Sequence, residues 1–257
     1  MGSSGTFGIS VFGLKIGIRV SSLLFRDMIL NHLPPGWTAD SADGAVRWYE
    51  VTVAEGPQAK YRLHVDGSLL YFHSRIEEVF RWFESDLQIY VAEMSKDLVF
   101  VHAGVVGWQG RALIVPGRRF TGKTTLIRAL LEAGADYYSD RYAVFDRDGL
   151  VYPYVAGQTA EAEPLPPGLI VATYYAPGAD WKPRRISDGC ALLLLFANTA
   201  SARSRPDFAL ATLRKVVTGT LALESSRGEA PKTAELLLAQ LSESAQMASS
   251  SSSRSCF

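Results

Sequence analysis

The segment Gly117-Arg118-Arg119-Phe120-Thr121-Gly122-Lys123-Thr124 carries two glycines, a lysine and a hydroxyl at the spacing G-x-x-x-x-G-K-[ST], the spacing of a loop that wraps phosphate. The chemistry follows from the residue types. Glycines let successive backbone N–H groups turn inward around phosphate oxygens, and a helix opening at the end of the loop adds the partial positive charge of its N-terminus. Lys123 supplies a cation for the β- and γ-phosphates of a nucleotide, and the Thr124 hydroxyl is placed to enter the coordination sphere of Mg²⁺. With Thr125, the residues Gly117, Arg118, Arg119, Phe120, Thr121, Gly122, Lys123 and Thr124 form the candidate nucleotide-binding set. The bland alternative is a glycine-rich turn that binds nothing. Transfer of a phosphoryl group also needs a carboxylate to hold metal or take a proton. Asp140 is the best candidate for both tasks, and its alternative is a solvated turn aspartate.

Such a loop needs a strand before it and a helix after it. The apolar stretch 112–115 reads as the strand, and 124–133, with Leu126, Ile127, Leu130 and Leu131 at helical spacing, reads as the helix, ending at Gly134 in the C′ position. Upstream, 98–106 is strand-like and joined to 112–115 through the hairpin turn Gly107-Trp108-Gln109-Gly110. Downstream, Tyr137-Tyr138 runs into Ser139-Asp140, which places the carboxylate at the end of a short strand near the same sheet edge as the loop. Stretches 142–145 and 150–154 flank an Asp146-Arg147-Asp148-Gly149 turn and predict a hairpin. Segment 156–168 lacks periodicity and reads as a loop. Stretches 169–175 and 191–196 have the character of buried strands, 208–217 and 230–241 read as helices, and 249–255 has the composition of a disordered tail.

The first 75 or so residues read as a small α+β unit. Residues 7–20 predict one or two half-buried strands, with Leu14, Ile16, Ile18 and Val20 alternating with Lys15, Gly17 and Arg19. A helical pattern over 22–33 stops at Pro34-Pro35-Gly36, and 46–53 and 61–65 alternate as strands. Ser74 and Glu77 have capping-box spacing and open a helix carrying Val79, Phe80, Phe83, Leu87, Tyr90, Val91 and Met94. Its aromatic stripe reads as core rather than as a stacking platform for bases.

The whole chain has 257 residues, 47% hydrophobic and 20% charged, which excludes fibrous and disordered classes. Its 26 basic and 26 acidic residues cancel, so net charge holds neither nucleic acid nor an anionic membrane, and any anion site is local. Two cysteines, Cys190 and Cys256, are too few for a disulfide framework and fit a reducing compartment. No apolar run approaches the ~20 residues of a spanning helix. With no basic-then-apolar leader at the N-terminus, the expected location is the cytoplasm. Met1-Gly2-Ser3-Ser4-Gly5-Thr6 fits a myristoylation pattern, but the pattern is short and loose, and the segment reads foremost as a small-residue leader.

Phe100-Val101-His102-Ala103-Gly104-Val105-Val106, the loop starting fifteen residues beyond His102, the helix end Ala133-Gly134-Ala135 and Tyr138-Ser139-Asp140 together resemble the C-terminal domain of HPr kinase/phosphorylase and its HPr-kinase-like relatives. The resemblance covers about 98–155, with a looser match to about 241. It implies an α/β, P-loop, HPr-kinase-like domain, related to phosphoenolpyruvate carboxykinases, at 97–245; by pattern and composition the small α+β domain spans 1–96 and a disordered serine-rich tail 246–257. It also implies an ATP-dependent, Mg²⁺-requiring kinase acting on a serine of a protein or peptide. Lys123, Asp140 and His102 would be catalytic, with His102 orienting or tuning Asp140 and with Thr124 and Asp140 on the metal. A structural histidine on an apolar strand is the alternative for His102. A homo-oligomer is left open. The family usually has a second acid after the aspartate, and here Arg141 stands there. That substitution either supplies a direct phosphate contact or marks a module that binds ATP without transferring it. A small-metabolite kinase would share every motif. The N-terminal unit has no match in the bifunctional enzyme. Glu161 and Glu163 are possible later metal ligands, and Arg118, Arg119, Arg184, Arg185 and Arg203 to Arg205 are either phosphate contacts or solvated charge.

Overall fold

The computed structural model describes residues 4–54, 60–117, 121–155 and 163–252, with side chains as far as 244. It is a mixed α/β protein whose described residues form two mixed sheets and six helices. The chain divides into two compact units, one running to Lys96 and one starting at Asp97. No helix among the described residues is long and apolar enough to cross a membrane.

In the first unit the predicted period-two pattern resolves into a hairpin, β1 (Gly5–Val11) and β2 (Leu14–Val20). Phe12 and Gly13 turn it with positive φ of 47° and 79°, the conformation that matches strand twist in a two-residue turn. Helix α1 (Leu23–Leu30) starts at Ser22, whose hydroxyl accepts from the Leu24 N–H. Strands β3 (Thr38–Asp40), β4 (Arg47–Val53), β5 (Tyr61–Val65) and β6 (Ser68–His73) complete a sheet in the order β3-β1-β2-β4-β5-β6, and α2 (Ile76–Met94) follows. The aromatic stripe of α2 is core, as read: Phe80 meets Phe25 of α1 edge-on and Phe83 meets Tyr49 of β4. On the other face the Trp48 indole lies over Gly17, where a Cβ would come within 2.5 Å of the ring. The Arg19 guanidinium sits 4.2 Å from the same ring centre.

The second unit begins with β7 (Val99–Trp108) and β8 (Arg111–Pro116), joined by the predicted hairpin turn with Gln109 and Gly110 at positive φ. Helix α3 (Lys123–Glu132) ends as expected. Gly134 at φ 99° lets its own N–H reach the Leu131 carbonyl and the Ala135 N–H reach that of Leu130. Then come β9 (Asp136–Ser139), β10 (Tyr142–Phe145), β11 (Val151–Tyr152), β12 (Pro167–Tyr175), β13 (Arg184–Arg185), α4 (Asp188–Ala197), α5 (Pro206–Val217), β14 (Leu221–Arg227) and α6 (Ala230–Ser252). The sheet order is β11-β10-β7-β8-β12-β14-β13, with β9 on β7. Side chains alternate across it. Ile114, Ile170 and Ala222 join the core under α4 and α5, while Leu113, Leu169 and Leu223 join the core under α3 and α6.

Four sequence expectations change. Residues 191–196 belong to helix α4, because Ser187 caps its start by accepting from Cys190 and only Ala191 and Leu195 of the run are buried. The capping box at Ser74 is not formed, since α2 starts one residue later with Arg75 at its N-cap and no side-chain cap bond. Strands β3, β6, β13 and β14 are additional to those read from the pattern. Helix α6 continues through Ser252 into the segment expected to be disordered, propagating from the apolar turn anchored by Ala234, Leu237, Leu238 and Leu241.

Candidate active site

Strands β8, β12 and β14 are parallel neighbours, so their carboxyl ends, Pro116, Tyr175 and Arg227, lie on one side of the sheet. Ligands of open α/β sheets bind outside such ends. Past Gly117 the chain reaches Gly122, which takes φ 77° and ψ 11° and serves as the N-cap of α3 without a side chain to offer. No acidic residue lies in the first turn of α3, so its orphan N–H groups and partial positive charge suit an anion. Gly104 of β7 sets the depth of this helix. A Cβ there would lie 2.6 Å from Ile127 Cγ1 and 3.2 Å from Lys123 Cγ, so only glycine lets the first turn rest on the strand. The Lys123 ammonium folds back and donates to the Gly117 carbonyl at 2.9 Å.

Charge is organised around that lysine. Burial holds the Lys123 pKa below its usual value, and the Asp140 carboxylate opposes this by favouring the charged form. Asp140 is exposed in the bend between β9 and β10 and accepts from the Tyr137 hydroxyl at 3.2 Å. Burial, reinforced by that carboxylate, pushes the Tyr137 phenol up to about 12, so it stays a donor at neutral pH. His102 lies on β7 opposite Tyr142, with the two ring centres 4.6 Å apart. The His102 carbonyl accepts from the Gly117 N–H at 3.0 Å, which ties the start of the loop to the histidine strand. The Arg141 carbonyl accepts from Ala103 N–H.

His102, Gly117, Lys123 and Asp140 therefore gather at one sheet edge, and Thr124 and Thr125 are exposed in the first turn of α3. Arg118, Arg119, Phe120 and Glu161 lie outside the described residues. Glu163 offers its backbone carbonyl to the Tyr138 hydroxyl. Arg184 pairs with Glu224 on the sheet edge, Arg185 is exposed, and the Arg205 guanidinium lies over the Phe208 ring.

The sequence reading missed Arg227, which is 2% exposed at the end of β14. Its Nη2 donates to the Gly122 carbonyl at 2.7 Å and its Nη1 to the Gly228 carbonyl at 3.1 Å. The Tyr175 ring lies 5.5 Å below it, and the Tyr175 hydroxyl donates to Glu229 at 3.0 Å. The stretch Leu221 to Arg227 does not alternate in hydropathy, so it carries no local signal for this residue.

No protein-family model matches the sequence, and no curated protein is significantly similar to it.

Proposed function

We propose that the second unit binds ATP and transfers its γ-phosphoryl group to a hydroxyl, a serine of a protein or peptide, in the manner of HPr-kinase-like proteins. The observation that carries this reading is the uncapped, acid-free start of α3 with Lys123 folded onto Gly117 and the Asp140 carboxylate acting on the same ammonium. The loop spacing and the likeness over 98–155 support the choice of nucleotide and acceptor.

Backbone N–H groups at the start of α3 would receive phosphate oxygens, and Lys123 would leave the Gly117 carbonyl to meet the transferring charge. Asp140 would take the proton of the acceptor hydroxyl as that oxygen bonds to the γ-phosphorus and the bond from that phosphorus to the β-phosphate oxygen breaks, releasing ADP. His102 would act as a positioning residue, anchoring Gly117 and packing Tyr142 two residues beyond Asp140. Thr124 and Asp140 would hold Mg²⁺, which when bound neutralises charge between the β- and γ-phosphates. The donor set fits that ion. One hydroxyl with one carboxylate suits a cation bound mainly by substrate phosphates. Calorimetric titration tests the reading: wild-type protein is expected to bind ATP with micromolar affinity that depends on Mg²⁺. Absence of binding would remove the kinase assignment.

Arg141 favours a second reading, an ATP-binding module without transfer, because it occupies the place of the usual second acid. If Arg141 instead contacts the transferring phosphoryl oxygens, Arg141→Glu lowers the transfer rate by tenfold or more. A gain of transfer in Arg141→Glu, measured with labelled ATP, would establish the second reading.

A further inference from the structure

We propose that Arg227 is a positioning residue for the nucleotide, orienting the Gly122–Lys123 peptide so that the Lys123 N–H faces the bound phosphate. The proposal rests on the ATP reading and adds to it a residue from the far end of the chain. Gly122 has no side chain to fix its left-handed backbone, and its carbonyl takes two donors, Leu126 N–H at 3.2 Å and Arg227 Nη2 at 2.7 Å. In a trans peptide the C=O and the following N–H point in opposite directions. Drawing the Gly122 oxygen towards Arg227 therefore turns the Lys123 N–H away from Arg227. At a glycine, where the backbone has the most freedom, the guanidinium adds a second hold on this carbonyl to the helical bond from Leu126.

Arg227 is costly as a purely structural residue. It is 98% buried, no carboxylate forms an ion pair with it among the described residues, and its Nε is buried without a hydrogen-bond partner. Burial disfavours its charge, and Glu229 and Tyr175 only partly compensate. A desolvated cation without an ion-pair partner is destabilising. The fit at Gly122 is tight: a Cβ would lie 2.6 Å from Nη2. Glycine at 122 thus leaves room for the guanidinium as well as allowing its positive φ.

The test compares Arg227→Met, Arg227→Lys and wild type as full-length chains, by calorimetric titration with ATP and Mg²⁺ and by the melting-temperature rise that inorganic pyrophosphate produces. Arg227→Met is expected to melt within a few degrees of wild type without ligand, to bind ATP about tenfold more weakly and to lose the pyrophosphate-induced rise. Arg227→Lys, which keeps the charge but not the fork, should recover part of both. Wild-type affinity in a folded Arg227→Met would overturn the role of Arg227 and leave the ATP reading standing, whereas no ATP binding by wild type would overturn both. If Arg227→Met does not fold, Arg227→Lys decides, with unaltered affinity or loss of the fold counting against the proposal.

Discussion

Lys123→Ala is expected to weaken ATP binding by roughly ten- to a hundredfold, the worth of a charge-assisted hydrogen bond removed from a phosphate site, and to abolish measurable phosphoryl transfer. The ammonium is poised rather than committed: it rests on the Gly117 carbonyl at 2.9 Å, a neutral acceptor that a phosphate oxygen outcompetes. Burial already disfavours its charge, so an arriving anion gains more from it than from a solvated lysine. The fold should survive. Lys123 is the first residue of α3, alanine is the best helix former, and the core side of this turn is built by Leu126 and Ile127. Titration of wild type and Lys123→Ala in parallel, with melting temperatures as the control, gives the result. Equal affinities would show that the loop is not the nucleotide site.

The elements around the site differ in how far the sequence discloses them, for physical reasons. The hairpin β7–β8, helix α3 and its end at Gly134 were legible because turn glycines and apolar periodicity act over a few residues. The convergence of His102 and Asp140 on the loop depends on the pairing of β10 with β7, which sets Tyr142 opposite His102, and local pattern carries only a hint of that register. Run 191–196 misleads because a continuous apolar stretch has no period to read. Leu193 is 65% exposed, and the informative residue is the cap Ser187. Strand β14 is hidden for the opposite reason. Two of its inward positions are Ser225 and Arg227, so hydropathy conceals the strand where it contributes to the site. Strand β6 exposes Leu69 and Phe72, which blurs the alternation that would have marked it.

Asp140→Asn separates chemistry from binding. Asparagine keeps an oxygen that can accept from the Tyr137 hydroxyl, now 3.2 Å from Asp140, and the site is exposed, so the bend between β9 and β10 should persist. What disappears is the negative charge. A carboxylate that takes the proton of the acceptor hydroxyl contributes on the order of 10²–10⁴ in rate, and transfer measured with labelled ATP is expected to fall by that factor. The affinity for ATP without Mg²⁺ should stay level or rise, because one negative charge facing the phosphates is gone. The Mg²⁺ dependence of binding then assigns the role of Asp140. If Mg²⁺ strengthens ATP binding in Asp140→Asn as much as in wild type, the carboxylate serves as base alone, with Thr124 and the phosphates holding the ion. If the enhancement collapses together with the rate, Asp140 is also a metal ligand. Unchanged transfer would exclude it from both tasks and shift the search for a base to other carboxylates of the second unit.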